Sequence, residues 1–140
     1  MGKRSLTVLK ERNTAGEEKE IVVIYKQWNC QLIGHGRGLA EMLTGYKVTK
    51  GFNPDDKRKK VASGAGCMAA QIVMAMKEQF PVGEIYLKPA GTRNCGEEYI
   101  YEVIIETEKP IEMIVTKGGE VLYSGPADRF KKWLKASGRI

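Results

Sequence analysis

Nine residues in the second half of the chain, EYIYEVIIE (Glu98–Glu106), alternate when drawn as an extended strand. Tyr99, Tyr101, Val103 and Ile105 fall on one side, and Ile100, Glu102, Ile104 and Glu106 on the other. Period two with aromatic and β-branched residues specifies a strand with one strongly apolar face, and such a strand needs neighbours. They are at hand. IEMIVTK and EVLY flank Gly118-Gly119, the strongest hairpin signal in the chain, and EIYLK precedes the alternating stretch. Upstream, IVVIY (Ile21–Tyr25) is apolar without alternation and reads as a buried strand, while SLTVL is a short strand at most.

Helical signals lie between and after these strands. Leu39, Met42 and Leu43 share a face of a short helix from about Arg37 to Thr44, with Gly45 placed to end it. In VASGAGCMAAQIVMAMKEQF, Met68, Ile72, Met76 and Phe80 form one stripe and the other faces are also largely apolar. That pattern predicts a central, mostly buried helix, capped by Ser63 and ended by Pro81. A last helix, PADRFKKWLKA, is predicted to start at Ser124 or Gly125 with Pro126 near its first turn. Phe130, Trp133 and Leu134 would face inward, and Arg129, Lys131, Lys132 and Lys135 outward. The expected fold is α+β, an antiparallel or mixed sheet with helices packed on one face. Residues 1–20 read as a polar N-terminal segment and 21–140 as a single ligand-binding domain.

Composition narrows function by exclusion. The three cysteines, Cys30, Cys67 and Cys95, are far apart and form no CxxC, and there is one histidine. A disulfide framework or a zinc site is therefore not expected, and neither a metal nor a cofactor is assigned. No apolar run reaches the roughly 18 residues of a membrane span, and MGKRSLTVLKER lacks the apolar core of a signal peptide. No membrane partner is expected, and a cytoplasmic location is. The net charge of +6 favours anionic partners without choosing among nucleotides, nucleic acid and acidic surfaces.

Three glycine-bearing loops are candidates for contacts to such a partner. In QLIGHGRGLAEML, Gly34, Gly36 and Gly38 alternate with His35 and Arg37 ahead of a helix. Free amides and the helix dipole there could hold a phosphate, with Arg37 adding a bidentate contact. The plainer reading is a tight turn whose glycines relieve crowding. SGAGC places Gly64 and Gly66 in the same relation to the second helix, and close helix–sheet packing explains it equally well. In GTRNCGEEY, Arg93 and Asn94 sit at a loop tip where a ribose, base or phosphate could be read, or where a solvated turn would suffice. Tyr86, Tyr99 and Tyr101 could stack on a base or simply fill the core. The run Lys57–Lys60 reads as a solvated basic loop. For catalysis the chain is poor, since no cysteine–histidine spacing suggests a dyad and Glu97-Glu98 reads as solvated edge charge.

YKQWNCQLIGHGRGLAEML, SGAGCMAAQ and GEEYIYEV, in that order across Val23 to Val103, resemble a family of small phage-encoded proteins. That family carries YxxWDGYxxGHGxxLA, GxGCLAAQ and GEEYxYEV segments and is similar to the first Thoeris anti-defence family. Asn29, Cys30 and Gln31 replace its DGY, so no role resting on that aspartate or aromatic carries over. The resemblance implies an oligomeric sponge in the infected host cell that sequesters nucleotide immune signals without degrading them. Those signals are cyclic ADP-ribose isomers and cyclic oligonucleotides. The ligand residues expected are His35, Gly36 and Arg37 with Gly64 and Gly66 on phosphate, and Tyr86, Arg93 and Asn94 around a base or ribose. The alternatives are a nucleic-acid binder using the basic loop and last helix, and a nucleotide hydrolase or phosphodiesterase.

Overall fold

A computed structural model describes residues 3–51, 53–55, 57 and 60–139. The strands are β1 (Ser5–Arg12), β2 (Glu18–Lys26), β3 (Lys47–Thr49), β4 (Val61–Ser63), β5 (Ile85–Lys88), β6 (Tyr99–Ile105), β7 (Glu112–Lys117) and β8 (Glu120–Pro126). The helices are α1 (Arg37–Leu43), α2 (Gly64–Gln79) and α3 (Phe130–Ala136). Six strands form one sheet in the order β5-β2-β1-β6-β7-β8, and β3 and β4 form a separate parallel pair. Within the large sheet β1 and β6 are parallel and every other pairing is antiparallel. The fold is a mixed-sheet α+β domain, as the pattern predicts.

The alternation in β6 decides where the core lies. Tyr101, Val103 and Ile105 are fully buried and join Leu9, Ile24, Met113 and Val115 on one face of the sheet. Leu39 and Leu43 of α1, Met68 and Ile72 of α2, and Phe130 and Leu134 of α3 complete the same cluster. All three helices therefore cover one face. On the other, Leu6, Val8 and Val23 pack with Tyr25, Cys95 and Ile100, so the β5–β6 connection supplies the second layer there.

Among the described residues, the stretch predicted as a polar N-terminal segment over 1–20 is built into the sheet as β1 and the start of β2. Ser5–Arg12 is a central strand, with Leu6, Val8 and Leu9 fully buried. Its charges obscured this in the sequence because they are satisfied across the sheet. Lys10 pairs with Glu102, and Arg12 lies 2.8 Å from Glu18 and 2.7 Å from Glu112. Two helix readings also change. Only one side of α2 is buried, with Met74 58% exposed on the other, and Ser63 makes no side-chain cap hydrogen bond. The sequence from Ser124 to Pro126 is still strand β8, and α3 starts at Phe130 after a single 3₁₀ turn, Ala127–Arg129. No helix among the described residues is long and apolar enough to cross a membrane.

Candidate functional site

The glycine-rich stretch is wound rather than looped. Leu32–Gly36 forms a π-helical turn that runs directly into α1. Gly34 N–H donates to Gln31 O at 3.1 Å, His35 N–H to Asn29 O at 3.2 Å and Gly36 N–H to Gln31 O at 3.3 Å. The Arg37 amide is also engaged, by the carbonyls of Gly34 and Leu32. The expected cradle of free amides is thus not formed, because the turn consumes its own donors. The glycines answer to packing. A Cβ on Gly34 would sit 2.9 Å from Asn29 O, and one on Gly36 would sit 3.1 Å from Tyr101 and 3.2 Å from Phe130.

Winding this segment carries His35 inward to the wall of a cavity of about 150 Å³ between the π turn with α1 and the C-terminal half of α2. Leu39, Met42, Met76 and Phe80 supply apolar walls, while Asn29 and Gln79 add carboxamides and Lys26 adds an ammonium. Lys26 is the last residue of β2 and only 4% exposed. Its Nζ donates to Trp28 O, lies 3.8 Å from Glu84 Oε2 and stands 4.6 Å from the centre of the Phe80 ring. Glu84 Oε2 is itself buried without a hydrogen-bond partner among the described residues. Glu84 balances the ammonium's charge without a direct hydrogen bond to it, and desolvation makes that interaction strong.

Two backbone features flank this lysine. Asn29 has φ of 54° and Glu84 φ of 67°, conformations that cost a non-glycine residue energy and persist where the surroundings impose them. Here they turn the chain out of β2 and into β5 on either side of Lys26.

His35 contacts the sheet through Nε2, 2.9 Å from Thr7 Oγ1 of β1. Its ring stands edge-on to Tyr101, centroids 4.9 Å apart at 89°. Burial, reinforced by the charge of Lys26, pushes its pKa down to about 3, so the imidazole is neutral at physiological pH. Burial also pushes the Cys30 thiol and the Tyr101 phenol upward. The Cys30 thiol points at Trp28 O (3.3 Å) and Lys26 O (3.4 Å), a structural arrangement for a protonated thiol.

The other sequence candidates lie elsewhere. Arg37 is partly exposed and 3.7 Å from Glu41, one helical turn on. Gly64 and Gly66 open α2, whereas the cavity meets α2 at Ala75–Phe80, about 1.5 Å of rise per residue further along. Tyr86 pairs with Tyr25 on the opposite face of the sheet, ring centroids 6.1 Å apart. Arg93 is spent on Glu20 at 2.8 and 3.3 Å, and Asn94 is exposed, its amide donating to Glu97. Tyr86 and Arg93 share that opposite face, so the sheet itself separates the two expected clusters. Tyr99 and Tyr101 are core residues. Of the basic run, Arg58 and Lys59 lie outside the described residues, and Lys60 donates to Thr44 O at 2.7 Å.

Lys26, Thr7, Gln79 and Glu84 were not singled out in the sequence, where Phe80 figured only in the helical stripe of α2 and Asn29 only as a departure from the family's DGY. The only signal was a lysine ending the apolar run IVVIY, which reads as the strand leaving the core. A larger hollow, about 360 Å³, lies by Tyr46, Lys47, Glu108 and Asp128, but its charged lining residues are all exposed. Among the described residues no group of three or more metal-ligating side chains converges. Compared with protein-family models, with curated proteins and with solved structures, the chain matches none.

Proposed function

We propose that this protein captures a small nucleotide signal and holds it without cleaving it. The observation that carries the reading is the ammonium of Lys26 at the floor of an otherwise largely apolar cavity, with its carboxylate partner displaced to 3.8 Å. A pocket of this make-up suits a flat ligand whose edge or substituent accepts hydrogen bonds. The overall charge of +6 would draw an anion toward the surface before it docks.

Capture without turnover is supported by the state of His35. A general base works best with a pKa near the operating pH, and this imidazole is held about three units or more below it. Its ring partner is a threonine rather than a carboxylate, so nothing in that pair pulls a proton toward it. The resemblance of the GHGRGLA, SGAGCMAAQ and GEEYIYEV segments to those of phage sponges supports cyclic ADP-ribose isomers and cyclic oligonucleotides as the signals. On this reading the protein acts as an oligomer in the cytoplasm of an infected cell.

The test is stoichiometric. Excess protein is incubated with each signal, the free ligand is measured, and the sample is then heat-denatured and chromatographed. Ligand that disappears on mixing and returns intact on heating supports sequestration. A linearised product that accumulates beyond the amount of protein overturns it in favour of a hydrolase. Binding that weakens steeply with salt and extends to single- or double-stranded nucleic acid overturns it in favour of a nucleic-acid binder.

A further inference from the structure

We propose that the cavity between α1 and α2 is a base pocket for a 6-oxopurine, read by the Lys26 ammonium together with an N–H on Nδ1 of His35 whose position Thr7 sets. This rests on the nucleotide-capture reading above and adds which base is held.

Hydrogen-bond accounting assigns the tautomer. Thr7 is fully buried, and among the described residues its hydroxyl has one partner, His35 Nε2. If Nε2 carried the ring proton it would donate to Thr7 Oγ1, and the threonine proton would be sealed in the core without an acceptor. If instead the hydroxyl donates to a bare Nε2, both groups are satisfied. The ring proton then resides on Nδ1. That atom has no hydrogen-bond partner among the described residues, yet it is not one of the polar atoms closed off from solvent. His35 is 92% buried and its opening is the cavity it lines. The imidazole is neutral, so it presents this single donor rather than two.

The cavity therefore offers two donors of fixed character, from Lys26 and His35, beside the Asn29 and Gln79 carboxamides and hydrophobic surfaces from Leu39, Met42, Met76 and Phe80. About 150 Å³ accommodates one heterocyclic base and leaves the sugar and phosphates at the mouth. Guanine and hypoxanthine carry two adjacent acceptors, O6 and N7, on one edge, whereas adenine has an amino donor beside N7. Against an ammonium and an N–H, the oxo edge is complementary and the amino edge turns donor against donor. Among cyclic signals this selects guanine-containing oligonucleotides over adenine-based cyclic ADP-ribose isomers.

The chain's single histidine makes the test direct, because the imidazole nitrogen spectrum of ¹⁵N-labelled protein has one source. At pH 7 the free protein should show protonated Nδ1 and bare Nε2. Thr7→Ser should keep that tautomer, and Thr7→Val should shift it toward Nε2–H. Titrated with guanosine and adenosine, the wild-type chain should bind guanosine at least about tenfold tighter, the scale of one well-matched base edge. Guanosine should also move the Nδ1 resonance, and Thr7→Val should erode the preference while Thr7→Ser retains it. An Nε2–H ring in the wild-type protein, equal affinity for adenosine, or guanosine binding that leaves His35 unmoved would each overturn the proposal. If neither nucleoside binds while a cyclic oligonucleotide is captured and released intact, the base pocket fails and the capture reading stands.

Discussion

The Tyr101 hydroxyl donates to the backbone carbonyl of Cys30 across 2.6 Å, joining the middle of β6 to the chain just before the π-helical turn. The phenol is fully buried, and its ring also supports His35 edge-on. One side chain of the alternating strand thus holds both ends of the segment that forms the cavity's wall. Tyr101→Phe keeps the ring and deletes the hydrogen bond, leaving a buried carbonyl short of a donor. The expected cost is about 1–3 kcal/mol in urea unfolding. Hydrogen exchange of the Leu32–Gly36 amides should accelerate more than exchange in β7 and β8. Equal acceleration throughout would show that Tyr101 does not act locally on the turn.

Gly36 and Gly38 should respond oppositely to alanine. The Cβ of Gly36→Ala would press on Tyr101 and Phe130 at 3.1–3.2 Å, and both rings are fully buried. Overpacking of this kind costs about 1–3 kcal/mol. A Cβ on Gly38, inside α1, meets nothing within 4 Å, so Gly38→Ala should stabilise by roughly 0.5–1 kcal/mol through helix propensity. Thermal unfolding of the two variants checks this. A destabilised Gly38→Ala would mean that the surroundings of α1 are tighter than described.

His35 should make stability depend on pH above the range where carboxylates titrate. In the unfolded chain its pKa is near 6.5, and in the folded chain burial and Lys26 hold it at about 3. The groups around the ring are Thr7 and Tyr101 from the sheet and Lys26 from the end of β2, and none of them supplies a carboxylate. Between those two values the unfolded state binds a proton that the folded state does not. The stabilising contribution is therefore complete above about pH 6.5 and is lost as pH falls toward 3. From pH 6.5 to 5 the loss amounts to about 1.6 kcal/mol. Unfolding free energies of wild type and His35→Gln over that interval should differ in slope, with the variant nearly flat.

Lys26 and Glu84 should be strongly coupled. Lys26→Met fits the long apolar path of the side chain but leaves the buried Glu84 carboxylate oxygen without a counter-charge. Glu84→Gln alone leaves the ammonium unpaired. The double variant should be more stable than the sum of the single losses predicts, with a coupling of about 0.5–3 kcal/mol. Simple additivity in a double-mutant cycle would show that the two groups do not sense one another.

Much of this protein was determined locally. The period-two run of Glu98–Glu106 dictated β6 and which side of it is buried, because alternation in a strand assigns faces directly. Gly118-Gly119, with φ of 56° and 85°, dictated the β7–β8 turn, and the Leu39, Met42, Leu43 spacing dictated α1. What the sequence alone left open depended on distant partners. Ser5–Arg12 is a central strand whose charges are met by Glu18 nearby and by Glu102 and Glu112 from across the sheet, and those last two no local window contains. The glycine-rich stretch spends its amides on the nearby Asn29 and Gln31 carbonyls instead of cradling an anion, and what packs it inward is distant, the Tyr101 and Phe130 rings that leave Gly36 no room for a Cβ. The two expected clusters, one around His35 and one around Arg93, lie on opposite faces of the sheet that β1 completes. Lys26 became the centre of the site only when α2 and the Glu84 bend closed over it. A charge at a strand end is solvated or buried according to what packs on top, and that is a property of the tertiary structure.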